Sequence, residues 1–481
     1  MRSYLVGIKG TGMANLAVLL KAMGHEVGGC DSGERFATDS VLEAHGLLAD
    51  HGFCESLLPP AIDLLIHSSA YSPSLPIIAL AAQRGVPIFD YPAFIAHLTR
   101  QQESWAVVGT HGKTTTVSVA THLLSEATGF RFPFYALYGS QHTERMAAPY
   151  WGSQVALFEG CEYQDHFLSY RLRGLLLTTI DWDHPDYFGD LDAVYRSFEA
   201  VVRSLCPGGI FIYNSDDPLV LRLARQMAGE RRDLTAIPYG FGAEGLFRIR
   251  KRGRHCYAFD GFKELSFTLV VDEPALVSDH LGALALSVAM LLDQDPPRLY
   301  LDESALITDE VLPTAVAHLG RSLATFGGVV GRLEVMGEEG GVLYLDDYAH
   351  HPREIGVLLG EVESRYPSRR VVALFSPHTA SRTRALLDEF VTALKVVDHL
   401  VIQPTYASAR RDDGGGDDPA STLYEHLSAV MGGRVILART DAEAIEGACS
   451  WLQEGTVCIT MGAGNNRNLG EQIAERRRSM R

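Results

Sequence analysis

No two of the chain's seven cysteines are spaced C-x-x-C: Cys30, Cys54, Cys161, Cys206, Cys256, Cys449 and Cys458 are scattered and odd in number. A structural zinc site is therefore disfavoured, and reduced thiols of the kind found in the cytoplasm are expected. No unbroken run of eighteen apolar residues occurs, and the opening MRSYLVGIKGTGM starts on a strand-like segment without a charged-then-apolar leader. A soluble, unexported protein with no membrane partner is the expectation. Basic residues are in deficit, with 42 Lys and Arg against 59 Asp and Glu and a formal charge of −17. That balance is a poor match to a phosphate backbone and argues against a nucleic-acid partner. What is present is ordinary globular composition, 46% apolar and 21% charged over 481 residues, a length about three times that of a typical domain.

Short apolar runs (YLVGI, EVGGC, DLLIHSS, VPIFD) alternate with helix-like stretches such as MANLAVLLKAMG, which ends at a capping Gly24. Alternation of this kind predicts βαβ units around parallel sheets. It starts afresh at Trp105 and again near Phe326, so the expectation is an α/β protein of three domains, residues 1–100, 101–325 and 326–481. The Gly/Asp-rich RRDDGGGDDP at 410–419 predicts a flexible connector.

The motif that carries most chemistry is Gly109-Thr110-His111-Gly112-Lys113-Thr114-Thr115-Thr116, between the strand-like AVV and a helix. Glycines let backbone N–H groups close around an anion, the helix N-terminus adds its dipole, Lys113 supplies positive charge and Thr114 a hydroxyl for Mg²⁺. The full phosphate-loop pattern wants a glycine where Val107 stands, but strand context and the GKT core point to a nucleotide phosphate cradle. At the N-terminus, Gly7-Ile8-Lys9-Gly10-Thr11-Gly12 also joins strand to helix, and Asp31 closes the next strand. That layout suits a diphosphate ligand on a helix N-terminus. Asn15 occupies the place where a dinucleotide fingerprint wants a small residue, which disfavours nicotinamide; a merely tight turn stays open.

Glu159 follows the strand QVALF, and His184 lies in DWDHPDYF after LLLTTI. A carboxylate and an imidazole at strand ends near a phosphate loop could complete a Mg²⁺ site, while Asp181, Asp183 and Asp186 would orient the loop or face solvent. In the third block, Asp346-Asp347-Tyr348-Ala349-His350-His351-Pro352 and Ser376-Pro377-His378-Thr379-Ala380-Ser381-Arg382-Thr383-Arg384 each follow a strand. Open α/β sheets put ligands at that end, so Arg382 and Arg384 could hold carboxylate or phosphate and Asp347 a ribose hydroxyl.

In this order, GIKGTGM, GTHGKTTT, DDYAHHP and MGAGN resemble the motifs of the Mur ligases of peptidoglycan synthesis, through all three blocks. The resemblance implies a Rossmann-like N-terminal domain, a P-loop ATPase-like central domain and a Rossmann-like C-terminal domain. It implies an ATP- and Mg²⁺-dependent enzyme, cytoplasmic and monomeric or homodimeric, that joins L-alanine to UDP-N-acetylmuramate through an acyl phosphate. Carried over residue by residue, Gly109 to Thr115 and Asp347 would bind ATP; Thr114, Glu159 and His184 the metal; and Arg332 the nucleotide phosphates. Gly10, Thr11, Gly12, Asp31, His51, Ser68 and Ser69 would face the UDP-sugar, and Tyr348, His350, His378 and Arg382 the amino acid. Lys113, Glu159, His184, Arg332 and His350 would be the catalytic set.

The chain also departs from the family pattern. E-A-D-E-S-D reads Glu159-Gly160-Cys161-Glu162-Tyr163-Gln164, the adenine-pairing H-N-x-x-N reads His280-Leu281-Gly282-Ala283-Leu284, and H-R-Y-[ST]-R-T reads His378-Thr379-Ala380-Ser381-Arg382-Thr383. A ligase for another amino acid or a recycled peptide, and a non-catalytic UDP-sugar-binding relative, stand as alternatives.

Overall fold

Three sheets answer the three expected α/β blocks in the computed structural model, which describes residues 1–479 apart from 37, 140–147, 261–264, 294–310, 407–417, 463 and 465. The expected connector at 410–417, and Ala463 and Asn465 of MGAGN, lie outside the described residues.

The first sheet contains β1 (Arg2–Val6), β2 (Glu26–Asp31), β3 (Asp50–His51), β4 (Leu64–His67) and β5 (Ile88–Asp90), in the order β3-β2-β1-β4-β5 with every pairing parallel. Strand β4 is buried along its whole length, as expected of a strand covered on both faces. The helix Thr11–Ala22 returns from β1, and Gly24, at φ +88, lets the chain turn just past its end where a side chain would be strained.

The second sheet has nine strands: β6 (Glu103–Val108), β7 (Phe134–Leu137), β8 (Val155–Glu159), β9 (Gly174–Leu177), β10 (Ile210–Asn214), β11 (Thr235–Gly240), β12 (Phe247–Gly253), β13 (Cys256–Phe259) and β14 (Ser266–Thr268). Their order is β14-β13-β12-β11-β10-β9-β6-β8-β7. Among the described residues only the β12–β13 and β13–β14 pairings are antiparallel, so three antiparallel strands form one margin of an otherwise parallel sheet. The third sheet runs β15-β16-β20-β17-β18-β19, with β15 (Glu334–Glu339), β16 (Val342–Asp347), β17 (Arg370–Ser376), β18 (His399–Ile402), β19 (Val435–Leu437) and β20 (Thr456–Gly462). Its two faces carry separate apolar clusters, one around Leu345, Phe375 and Phe390 and the other around Tyr344, Leu374 and Leu469.

The chain divides into two compact units. One comprises Met1–Asp181, Leu191–Val270 and Leu276–Gly327; the other comprises Trp182–Asp190, Val271–Ala275 and Gly328–Arg481. Two short segments of the central block thus belong with the third sheet. Within the first unit, Asn15 takes a role of its own: its Nδ2 donates to the Tyr138 carbonyl at 2.7 Å, tying the first helix to the loop after β7. The helix Pro274–Leu292 is long and apolar enough to cross a bilayer but is mostly buried inside the protein, and it serves as a core helix.

Candidate active site

The phosphate loop is made by β6 and the helix Lys113–Ala127, with four residues between them. Gly109 (φ +142) and Gly112 (φ +81) have backbone conformations that disfavour side chains, and a Cβ would collide with the Thr178 hydroxyl at the first and the Asp279 carboxylate at the second. The loop is fastened to the end of β9. Thr110 N donates to Thr179 O (2.9 Å), His111 N to Thr179 Oγ1 (3.0 Å), and Thr178 Oγ1 to the His111 carbonyl (2.5 Å). Asp181 N donates to Thr110 Oγ1 at 2.9 Å, and the Asp181 carboxylate lies 3.4 Å from His111 Nε2.

Lys113 points back over this loop. Its Nζ donates to the Gly109 and Thr110 carbonyls at 2.6 and 3.0 Å and to both oxygens of Glu162 at 3.0 and 2.8 Å. Burial pulls the Lys113 pKa down, but Glu162 outweighs it and holds the group above its ordinary value, so the lysine is a cation at neutral pH. Next to it, Thr114 Oγ1 donates to Glu159 at 2.9 and 3.0 Å, and Gly139 N donates to the same carboxylate at 2.7 Å. A hydroxyl and a carboxylate in contact at the loop are hard oxygen donors of the kind Mg²⁺ takes. Thr115 is half-buried on the first turn of the helix.

The N-terminal candidates gather at the carboxyl ends of β1 to β4. Gly10, Thr11, His51 and Ser69 are exposed, Gly12 is half-buried against the Tyr91 ring, and Ser68 is buried. Asp31 is buried, and its carboxylate accepts from Lys9 N and Ser32 N, both at 2.7 Å, and from the Tyr71 hydroxyl at 3.1 Å. Its contacts therefore shape the glycine loop.

The second unit brings together the strand-end residues of β16 and β17. Asp347 is buried and accepts from Leu333 N and Ala349 N at 2.6 Å each, and burial pushes its pKa up to about 6. The Leu333 contact fixes the turn carrying Arg332, whose guanidinium lies 5.5 Å from the centre of the exposed Tyr348 ring. His350 Nδ1 is 2.9 Å from the Tyr348 carbonyl, its ring is 5.2 Å from that of His378, and burial pushes its pKa down to about 4. A carbonyl only accepts, so the His350 proton sits on Nδ1 and Nε2 is left as an acceptor. His378 is the converse: its Nδ1 faces Arg382 Nη1 at 3.0 Å, and since a guanidinium only donates, the His378 proton sits on Nε2.

Arg382 is buried and forms a two-pronged pair with Asp183, Nε to Oδ1 at 2.7 Å and Nη2 to Oδ2 at 3.1 Å. Burial pulls the Asp183 pKa up, but Arg382, His184 and His351 outweigh it and hold it well below the carboxylate range. His184 follows at φ +54, with Nε2 3.8 Å from Asp183. Asp183 thus orients its surroundings through Arg382, Asp181 meets the phosphate loop, and Asp186 and Arg384 are exposed.

Lys113, Thr114 and Glu159 meet in the first unit, and Arg332, Asp347, Tyr348, His350, His378 and Arg382 are grouped in the second together with His184. Glu162 as the partner of Lys113, and Asp279 against Gly112, were not expected. For Glu162 the signal was its place three residues after Glu159. Leu281 and Leu284, where the family pattern has asparagines, are fully buried.

Comparison with known proteins places these parts in a known frame. Residues 2–103 match the model described as the Mur ligase family catalytic domain, 107–261 the Mur ligase middle domain and 331–464 the Mur ligase glutamate ligase domain. The chain is 31% identical to the UDP-N-acetylmuramate–L-alanine ligase of Treponema pallidum over 480 residues, 98% of this chain and 96% of that one. It is 32% identical to the enzyme of the same name from Desulfitobacterium hafniense over 490 residues, 98% of each chain. The crystal structure of the UDP-N-acetylmuramate–alanine ligase of Thermotoga maritima superposes over the whole of both chains with a TM-score of 0.77 at 21% identity.

Proposed function

The chain belongs to the Mur ligase family, whose members are ATP-dependent ligases, and from that premise we propose that it joins L-alanine to UDP-N-acetylmuramate in peptidoglycan precursor synthesis. The observation that carries this reading is the end-to-end likeness to relatives of that name, covering 98% of the chain. The enzyme would work in the cytoplasm on small-molecule substrates, as a monomer or homodimer.

A carboxylate is a poor electrophile, and transfer of a phosphoryl group from ATP to the muramyl carboxylate supplies a leaving group. Lys113, kept cationic by Glu162, neutralises phosphate charge at the loop, and Arg332 is a further cation for the nucleotide phosphates. Thr114 and Glu159 would hold Mg²⁺ at the loop, where it would screen the charge that develops on the transferred group, and His184 would be a further ligand by the family resemblance. The amino acid lies against His350 and His378. His378 Nε2–H donates to its carboxylate, and His350, neutral at working pH because burial lowers its pKa to about 4, offers Nε2 as a hydrogen-bond acceptor that orients the attacking amine. Arg382 keeps His378 in the donor tautomer while Asp183 balances its charge. Gly10, Thr11, Gly12, His51, Ser68 and Ser69 receive the UDP-sugar diphosphate, with Asp31 bracing the loop.

Thr379 in place of the family's first arginine favours a second reading, in which the amino acid is one other than L-alanine. Phosphate release from ATP and Mg²⁺ with UDP-N-acetylmuramate, scanned over single amino acids with mass detection of the product, separates them. Release and product only with L-alanine are expected; release with another amino acid establishes the second reading, and UDP-sugar binding without turnover leaves a non-catalytic relative.

A further inference from the structure

A lysine inside a glycine loop beside a helix N-terminus suggests a phosphate ligand, yet the Lys9 side chain is turned elsewhere. Lys9 is 5% exposed, its Nζ donates to the Glu34 carbonyl at 2.8 Å and lies 3.3 Å from the Asp39 carboxylate, and the ammonium sits 5.7 Å from the centre of the Phe36 ring. Its main chain is engaged as well: N donates to Asp31 at 2.7 Å, and O accepts from the Thr38 hydroxyl. Asp39 in turn accepts from Phe36 N at 2.9 Å. The segment thus held, Gly33 to Arg35, is exposed and has little apolar surface to hold it down. A buried ammonium is costly unless paired, so the pair resists opening.

We propose that Lys9 is a positioning residue, a strap that fastens the segment following β2 onto the glycine loop and thereby sets the affinity of that sheet end for the UDP-sugar diphosphate. This rests on the assignment of the glycine loop to the UDP-sugar made above. The strap acts from behind the loop, through Asp39 and the backbone of Glu34, and the ammonium does not touch the ligand.

Asp39→Asn distinguishes the two roles. If Lys9 is a strap, the variant loosens the segment; if Lys9 is a phosphate ligand restrained by Asp39, the variant frees it for the diphosphate. Steady-state kinetics and amide hydrogen exchange on Lys9→Met, Lys9→Arg and Asp39→Asn make the test. The expected result is a KM for UDP-N-acetylmuramate raised about tenfold in Lys9→Met and Asp39→Asn, less in Lys9→Arg, with kcat and the KM for ATP within about twofold. Exchange of residues 33–36 and 39 in the ligand-free protein should quicken in both.

A lower KM in Asp39→Asn overturns the strap, as does unchanged exchange in Lys9→Met. If exchange quickens but the UDP-sugar gives wild-type protein no protection at residues 7–12, it is the assignment of the glycine loop that falls, and the effect on affinity falls with it.

Discussion

Glu162 closes on Lys113 with both carboxylate oxygens, at 3.0 and 2.8 Å, across 49 positions of sequence. The cation of the phosphate loop is therefore half of a buried pair, and removing either partner takes a counter-charge from the other. Lys113→Ala should lower turnover on the order of 100- to 1000-fold, the usual loss when a stabilising donor is removed, and destabilise the protein by about 3–5 kcal/mol. Adding Glu162→Gln should return most of the stability and none of the activity. Phosphate release and thermal unfolding of the single and double variants check this; a double variant with normal turnover would remove Lys113 from the phosphate site.

Glu159 is held by the Thr114 hydroxyl and Gly139 N, ready to serve a hard cation. Glu159→Gln should raise the Mg²⁺ concentration for half-maximal rate by about tenfold or more, since a ligating carboxylate becomes a neutral amide. Titration of initial rate against Mg²⁺ reads this, and an unchanged half-maximal point places the metal elsewhere.

Arg382 and Asp183 form a buried two-pronged pair that also orients His378. Arg382→Ala should raise the KM of the amino acid more than that of the UDP-sugar, because His378 loses the donor that fixes its tautomer. The opposite pattern would take Arg382 out of the amino-acid pocket.

Asp346 lies beside Asp347 in the chain, and burial pushes it up to about 6 although Thr460 donates to it at 2.6 Å. The folded protein therefore keeps this proton where the unfolded chain has lost it. Between roughly pH 4 and pH 6 stability falls as pH rises, and above pH 6 the ionised group costs on the order of 3 kcal/mol. Asp346→Asn should raise the unfolding midpoint at pH 8 and leave it unchanged near pH 3.5. An equal shift at both pH values would mean that burial of the charge is not the cause.

Much of the fold was legible because its signals are local. Strand β6, the GTHGKT turn and the helix after it all lie between Glu103 and Ala127, and each glycine marks a conformation other residues avoid. Strands β12 and β15 are not readable from the apolar pattern, because FRIRKRG is mostly exposed although it has a neighbour on either side and EVMGEE is a polar edge strand, and the apolar alternation of a buried strand fades in both. The strand-end positions of Asp347 and His378 could be read from the sequence, but the partner of Arg382, expected to hold carboxylate or phosphate, could not: it pairs with Asp183, 199 positions away.

By itself the sequence determined the three α/β blocks, both glycine turns and the residue types that phosphate and metal chemistry need, because backbone conformation and hydrophobic period depend on near neighbours. Tertiary structure alone decided the partners: Glu162 for Lys113, Asp183 for Arg382, Asp39 for Lys9 and Tyr138 for Asn15. A buried charge must find its counter-charge wherever the topology brings one within reach, and chain order does not encode that distance.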